Sequence, residues 1–435
     1  MPHVGSRSLG RTSFPGRLTT LVARIAIAVL IASGSAGNGT GRWTCAADET
    51  NRTGNAQTAK GSATAATAQS SATTQASVTT QASATAQASA TAQASAIAQA
   101  SATAQTAPTA ATAGKDESPA ESPAESPVVF FATSDSHYEA VQKVERNDRN
   151  RVTIMRMNAL PGQAWPEKLG GGPIGKPRGV LALGDLIDDG DRAGETEIEW
   201  NHFTAQFGLD GTDGLLRYPV FEGWGNHDGP PAPFIKQKRS VQAELKKRNA
   251  TRLERKFIGR VSPNGLHYSW DWGGVHFVQA NLYPADRQNA KVRYSLPWHD
   301  PQEALKFVVE DLAASVGESG RPVIVMAHCG FDTNWWIDED WTAFYRAVKP
   351  YNVIAYFHGH SGTGVRQWKP ADEEKPLCVV NTGQTEKGFF VVEITRERMR
   401  LGYHVKKDPA VLENPEWDWR YLFEKKLTQT PATRP

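Results

Sequence analysis

Short, mostly apolar runs that each end in a polar loop dominate the second half of the chain. Residues 128–133, 179–183, 218–222, 323–326 and 353–356 are of strand length, and the pattern predicts buried strands with chemistry-bearing residues just beyond their C-terminal ends. Residues 266–283 read as a hairpin turning at Gly273-Gly274, and 378–382 and 389–394 continue the strand pattern. Helical periodicity marks 195–207 and 301–316. A last stretch, 416–427, carries Trp417, Trp419, Tyr421 and Phe423 and reads as an amphipathic helix docked onto the domain. Strands interleaved with helices predict an α/β fold.

The first half is patterned differently. Arg7, Arg11, Arg17 and Arg24 precede an apolar run at 25–32 and then small residues, the order of a secretory signal. The apolar run is too short to span a bilayer, so no stable membrane span is expected. Cleavage is expected near Ala36 or near Ala46 and Ala47, with an uncleaved anchor as the alternative; either way the chain is expected to be secreted, periplasmic or at the cell surface. Residues 47–127 collapse to Ala, Thr, Gln and Ser, with Gln recurring every six residues from Gln75 to Gln105 and prolines at 119, 123 and 127. Such a composition buries no core and predicts a tether that stiffens toward its end. The expected organisation is a signal region at 1–46, a low-complexity linker at 47–127, one large domain at 128–405 and a C-terminal extension at 406–435.

Charge and cysteine usage add little. The 435 residues carry a net charge of +2, although 236–260 holds ten Lys or Arg against Glu244 and Glu254. That segment reads as a solvated helix face rather than a steering field for phosphate, and without interleaved aromatic residues it does not favour nucleic acid as the ligand. Besides Cys45, Cys329 and Cys378 fall in the predicted domain, too few for a disulfide framework; they read as buried thiols, with pairing left open.

The chemistry lies in five blocks at the predicted strand ends: Asp135-Ser136-His137, Gly184-Asp185-Leu186-Ile187-Asp188, Gly225-Asn226-His227-Asp228, Ala327-His328 and His358-Gly359-His360. Two cations about 3.5–4 Å apart need one bridging carboxylate and further donors on each side. Asp135 and His137 can grip one ion, Asp185 can bridge, and Asn226, His328 and His360 can hold the second. This mixture of carboxylate and imidazole suits zinc, manganese or iron, divalent or trivalent, better than calcium or magnesium.

In these blocks the chain resembles the calcineurin-like metallophosphoesterases, whose pattern runs D-x-H, G-D-x-x-D, G-N-H-D/E, a lone H and G-H-x-H. The resemblance implies two packed mixed β-sheets flanked by helices in a four-layer sandwich, and phosphoester hydrolysis by a hydroxide held between two ions. It further implies that His227 protonates the leaving group, that Asp228 orients His227, and that Asp188 supports the ligands from outside. The expected substrate is a small-molecule or lipid phosphomonoester or phosphodiester, with Trp224, Trp335, Trp336 and Trp341 either rimming the cleft or packing the core. One block departs: aligning G-H-x-H on Gly359-His360-Ser361 leaves Gly362 where the family has its last histidine, which completes the first ion's coordination. Either His358 supplies the missing donor or the first ion keeps fewer protein ligands. The departure also motivates a rival reading, a catalytically weak or inactive metal-binding descendant that serves as a surface or binding module.

Overall fold

A computed structural model describes residues 126–230, 239–292, 299–331 and 334–427. The expected signal region, the expected linker as far as residue 125, Trp298 and the first basic residues of 236–260 lie outside the described residues. In chain order the strands are β1 (Val128–Thr133), β2 (Val180–Leu183), β3 (Val220–Gly223), β4 (Arg260–Val261), β5 (Tyr268–Trp272), β6 (Val275–Gln279), β7 (Val323–Met326), β8 (Val353–His358), β9 (Gly364–Trp368), β10 (Leu377–Asn381), β11 (Gly388–Ile394), β12 (Arg398–Lys406) and β13 (Trp417–Lys426). The helices are α1 (Glu145–Ala159), α2 (Glu195–Phe207), α3 (Val241–Glu254), α4 (Ala304–Ser315) and α5 (Asp338–Val348).

The strands form two mixed sheets, one ordered β13-β12-β11-β1-β2-β3 and the other β4-β5-β6-β7-β8-β10-β9. Alternation along each strand sorts its side chains between two apolar layers. Phe130, Leu181, Phe221, Phe277, Met326, Phe357 and Val392 face inward and fill the space between the sheets, with Phe130 edge-on to Phe277 at 5.4 Å. Phe131, Val325 and Tyr356 face outward and pack with helix residues such as Ile154, Phe203, Phe307 and Phe344. The α/β class and the two-sheet architecture are as expected. Strands β1, β2 and β3 run parallel, as do β6, β7, β8 and β10, so the C-terminal ends of β1, β2, β3, β7 and β8 carry the five blocks. Crevices at carboxyl ends of parallel strands are where such sheets bind ligands.

Two expectations fail. Residues 417–426 form β13, an edge strand antiparallel to β12, rather than a docked helix. Trp417, Trp419 and Leu422 pack toward the helix-covered layer whereas Phe423 packs toward the inter-sheet layer. The register shifts opposite Leu401/Tyr403, and Tyr421 has φ of 50°. This bulge breaks the two-residue period and makes the strand mimic helical spacing. It follows that the folded unit runs past 405 to at least Lys426. The second failure is α1, unanticipated because its buried face is polar: Asn147, Asn150 and Thr153 are buried beside Ile154 and Met157. Cys329 and Cys378 are both buried and not bonded to each other. No helix of the described residues is long and apolar enough to cross a membrane.

The basic segment is also less solvated than its composition implies. Arg252 of α3 is fully buried and pairs with the buried Glu222 of β3, while Arg248 Nε donates to the same carboxylate at 2.6 Å. Arg252 also donates to the Val220 carbonyl at 2.8 Å, and the Tyr268 hydroxyl to that of Glu222 at 2.8 Å. Burial opposes ionisation of Glu222, but the two guanidinium groups hold it below the usual carboxylate range. Glu222 thus fixes α3 to the strand that delivers Asn226. Replacing Glu222 with Ala leaves Arg252 buried without its partner and should destabilise the fold by about 3–5 kcal/mol, read from chemical unfolding of the variant beside the wild type.

Candidate metal centre

The site starts from a backbone ladder that outlasts its strands. Beyond β1 and β2, the N–H of Asp135 donates to the Gly184 carbonyl at 3.0 Å, that of His137 to the Asp185 carbonyl at 3.0 Å, and that of Tyr138 to the Leu186 carbonyl at 3.1 Å. The first two blocks are thereby held in register, with their side chains turned inward by an uncommon backbone. Asp135, His137, Asp185 and His360 all have positive φ, between 40° and 68°. Non-glycine residues in this region are held there at a cost and cluster at functional sites. Helix α1 supports the first loop, as Asn150 Nδ2 donates to the Ser136 carbonyl at 2.7 Å and Asn147 Nδ2 to that of Glu139 at 2.8 Å.

Six of the seven expected ligands converge. Asp135, Asp185 and His328 bring ligand atoms within 4.8 Å of one another, and so do His137, Asp185 and His227, so Asp185 is common to both groups. His328 Nε2 lies 3.1 Å from Asp185 Oδ2 and 3.0 Å from Asn226 Oδ1, and His137 Nε2 lies 3.7 Å from both Asp135 Oδ1 and Asp185 Oδ2. The far sides of both rings are tied down: His328 Nδ1 is 2.8 Å from the Leu183 carbonyl, and His137 Nδ1 is 2.9 Å from Asp188 Oδ1. Such outer partners fix which nitrogen faces a metal. The N–H of His360 donates to Asp135 Oδ2 at 2.9 Å, and its ring lies 5.2 Å from that of His328. A third close group joins His328, Cys329 and His360.

His358 does not join them. It leaves β8 fully buried, its ring lies against Gly330, and Nδ1 faces the Gly359 carbonyl at 2.8 Å. Burial, with Arg366 nearby, pushes its imidazole down to about 3. It is therefore not the donor for the first ion, because its strand position turns it toward the layer that holds Tyr356. The expected role of Asp228 is also overturned. Its carboxylate accepts the N–H groups of Leu186 at 2.9 Å, Ile187 at 3.1 Å and Gly225 at 2.6 Å, locking the second block to the third. Burial, reinforced by the charge of Asp185, pushes Asp228 up to about 7. His227 is held by Asp188 instead: Nδ1 is 2.8 Å from the Asp188 carbonyl, and the 43% exposed ring stands edge-to-face against His137 at 4.6 Å.

The electrostatics fit a cation. Burial opposes charge on Asp135 and Asp185, yet the imidazoles of His137 and His328 hold both carboxyls below their ordinary range. Burial would likewise depress those imidazoles, but the carboxylates around them push His137 up to about 10 and His328 up to about 9. Two buried carboxylates facing each other thus draw positive charge into the centre. Oxygen and nitrogen donors grouped this closely could hold a divalent metal ion.

Glycines set how closely the blocks approach. A Cβ at Gly225 would sit 2.3 Å from Asp185 Oδ1, and one at Gly359 would sit 1.8 Å from Ser134 Oγ and 2.6 Å from Asp135 Oδ2. Gly362 is the opposite case: nothing lies within 4 Å of a Cβ built there.

Three supporting residues have only weak signals in the sequence. Asn281, just past β6, accepts the Trp224 N–H at 3.2 Å on its side chain and the His328 N–H at 2.5 Å on its carbonyl, joining the third and fourth blocks. Its one signal is a polar residue at an apolar strand's end. Trp335 stands edge-to-face against His360 at 4.6 Å, whereas Trp224 and Trp336 are core residues. Ser134, buried between two metal-facing blocks, donates to the Leu183 carbonyl at 3.1 Å.

Residues 129–363, more than half of the chain, match the family described as calcineurin-like phosphoesterase. Solved structures with a distant likeness include PhoD, at 11% identity over 71% of this chain and 72% of that one, with a TM-score of 0.42. Vacuolar Protein Sorting 29 from Cryptosporidium parvum aligns at 10% identity over 69% of this chain and 99% of that one, with a TM-score of 0.29. The 5'-nucleotidase from Candida albicans SC5314 aligns at 14% identity over 67% of this chain and 50% of that one, with a TM-score of 0.29. No curated protein matches the chain.

The open space at position 362 generates a direct test. Histidine tolerates positive φ better than most residues, and Gly362 has φ of 69°. Gly362→His should tighten metal binding by about tenfold, within the range by which single groups around a site alter affinity. Metal titration of the wild type and the variant reads this directly.

Proposed function

The chain belongs to the calcineurin-like phosphoesterase family, and from that premise we propose that it is an exported hydrolase that cleaves a phosphomonoester or phosphodiester at a pair of transition-metal ions. The observation that carries this reading is the shared position of Asp185, which belongs both to the group with Asp135 and His328 and to the group with His137 and His227. A carboxylate common to two donor groups is what a two-ion centre requires. We assign Asp135 and His137 to one ion, Asn226, His328 and His360 to the other, and Asp185 to both. The ions would be zinc, manganese or iron. When bound, they would supply an activated water and draw charge from the phosphoryl oxygens.

The remaining work falls to the chain. Asp188 holds His137 through its carboxylate and His227 through its carbonyl, so one residue orients a ligand and a proton donor together. With Nδ1 of His227 donating to that carbonyl, Nε2 is the nitrogen left to pass a proton to the departing alkoxide. Asp228 serves by fixing the loop that carries Asp185. The basic, apolar and small-residue order of positions 1–46 supports export. The substrate class is a small-molecule or lipid phosphoester. The rival, a metal-binding module without turnover, is favoured by Gly362 alone.

Purified protein supplied in turn with zinc, manganese and iron should hydrolyse aryl phosphate or bis-aryl phosphate test substrates, and chelation should abolish the activity. Asp185→Ala and Asn226→Ala should each lower kcat/KM by more than about 100-fold, the upper end of what losing a single outer partner costs. Absence of turnover toward both ester types under all three metals would leave the binding-module reading standing.

A further inference from the structure

Two polar cavities flank the ligand group, and they differ in charge. One, of about 210 Å³, is lined by Asp188, Asp189, Asp191, Asn226, His227 and Gly229. The other, of about 170 Å³, runs from Asp135 and His360 past Gly362 and Gly383 to Gln384 and Lys387. A water needs only about 10–15 Å³ of such space, so the second cavity has room for a substituent of a bound molecule.

We propose that Lys387, with Gln384, forms a subsite that recognises a second negative group on the phosphoester held by the Asp135–His360 ligand group. The proposal rests on the phosphoesterase reading and adds a substrate class to it: phosphoesters that carry a further carboxylate or phosphate.

Three observations carry it. The subsite is built rigidly onto the centre. The N–H of Thr385 donates to the Ser134 carbonyl at 2.9 Å, the Thr385 hydroxyl donates to the same oxygen at 2.9 Å, and the Lys387 N–H closes the turn onto the Gln384 carbonyl at 3.0 Å. The turn that bears Gln384 and Lys387 is therefore pinned to the residue next to Asp135, and a recognition group held this way is preorganised. The charge on Lys387 is also not consumed locally. Its neighbour Glu386 is engaged by Arg149 at 3.2 Å and Arg146 at 3.8 Å, and no carboxylate among the described residues pairs with Lys387. Finally, the way in exists because position 362 is glycine, with nothing within 4 Å of a Cβ there. The cavity on the His227 side presents Asp188, Asp189 and Asp191, whose charge Arg192 and Arg146 offset only in part, whereas the Lys387 side presents a cation without a carboxylate partner among the described residues.

The test is equilibrium binding to the metal-loaded full-length protein, with phosphonates that are not turned over. Phosphonoacetate and phosphonoacetamide differ only in the charge of the distal group, and methylenediphosphonate replaces that group with a second phosphonate. Wild-type protein should bind phosphonoacetate about tenfold more tightly than phosphonoacetamide, about 1.4 kcal/mol. Lys387→Gln should erase the preference while leaving phosphonoacetamide affinity unchanged, and Lys387→Arg should retain it. Gly362→Asn, which suits a positive φ yet fills the opening, should erase it as well. A preference for methylenediphosphonate with none for phosphonoacetate narrows the class to a second phosphate. No preference in the wild type, or an intact preference in Lys387→Gln, overturns the subsite and leaves the phosphoesterase reading untouched. Failure of all three phosphonates to bind the metal-loaded wild type overturns that reading and the subsite with it.

Discussion

Two carboxylates, Asp135 and Asp185, must be buried side by side, and much of the surrounding architecture answers that electrostatic demand. Unpaired, either charge would be strongly disfavoured away from water. The protein offsets the cost with imidazoles, with the His227 N–H donating to Asp185 Oδ1 at 2.9 Å and with the His360 N–H donating to Asp135. The parallel pairing of β1 with β2 makes the arrangement reproducible, because adjacent parallel strands deliver their C-terminal residues to neighbouring points. Asp228 extends the same logic: a third buried carboxyl, pushed up by burial and by the charge of Asp185, accepts three backbone N–H groups and ties down the loop beneath Asp185.

Much of this was legible in the sequence because metal ligands are side chains on short motifs, and each motif followed an apolar run that could only be a strand. The α/β class and the convergence of Asp135, His137, Asp185, Asn226, His328 and His360 follow from that, whereas the two-sheet architecture was implied by the family resemblance alone and not by the periodicity of the strands. What escaped notice depends on partners far away in the chain. His358 stands one residue from Gly359 and looks interchangeable with a ligand, but only the pleat of β8 decides that it points elsewhere. Asp228 follows His227 in sequence, yet the loop turns its carboxylate back toward Leu186 and Ile187. Helix α1 was invisible to a hydrophobic pattern because asparagines that support the first loop occupy its inner face. The bulge near Tyr421 disguised a strand by breaking its period.

The two sides of the centre are built with different tolerances. Around Asp185, glycines permit contacts that no side chain could allow, and the N–H groups of Leu186, Ile187 and Asp188 each have a defined acceptor. At position 362 a side chain would meet open space, and Lys387 lines the same cavity. A tightly determined half next to an open half is the division expected when one part of a site must hold its geometry and the other must accommodate variable chemistry.

The edge position of β13 bears on how the molecule avoids self-association. A sheet edge exposes unsatisfied amides that invite strand addition from another chain, and natural proteins blunt it with charged side chains and local distortion. The outermost strand here does both: Asp418, Arg420, Glu424 and Lys426 are exposed along it, and its register is kinked near Tyr421. Cutting the chain back to residue 405 would uncover the long, largely buried β12 as a new and unguarded border. By that logic β13 guards the border of its sheet, and the cost of losing it would fall on solubility before it reached the ligand cleft at the ends of the parallel strands.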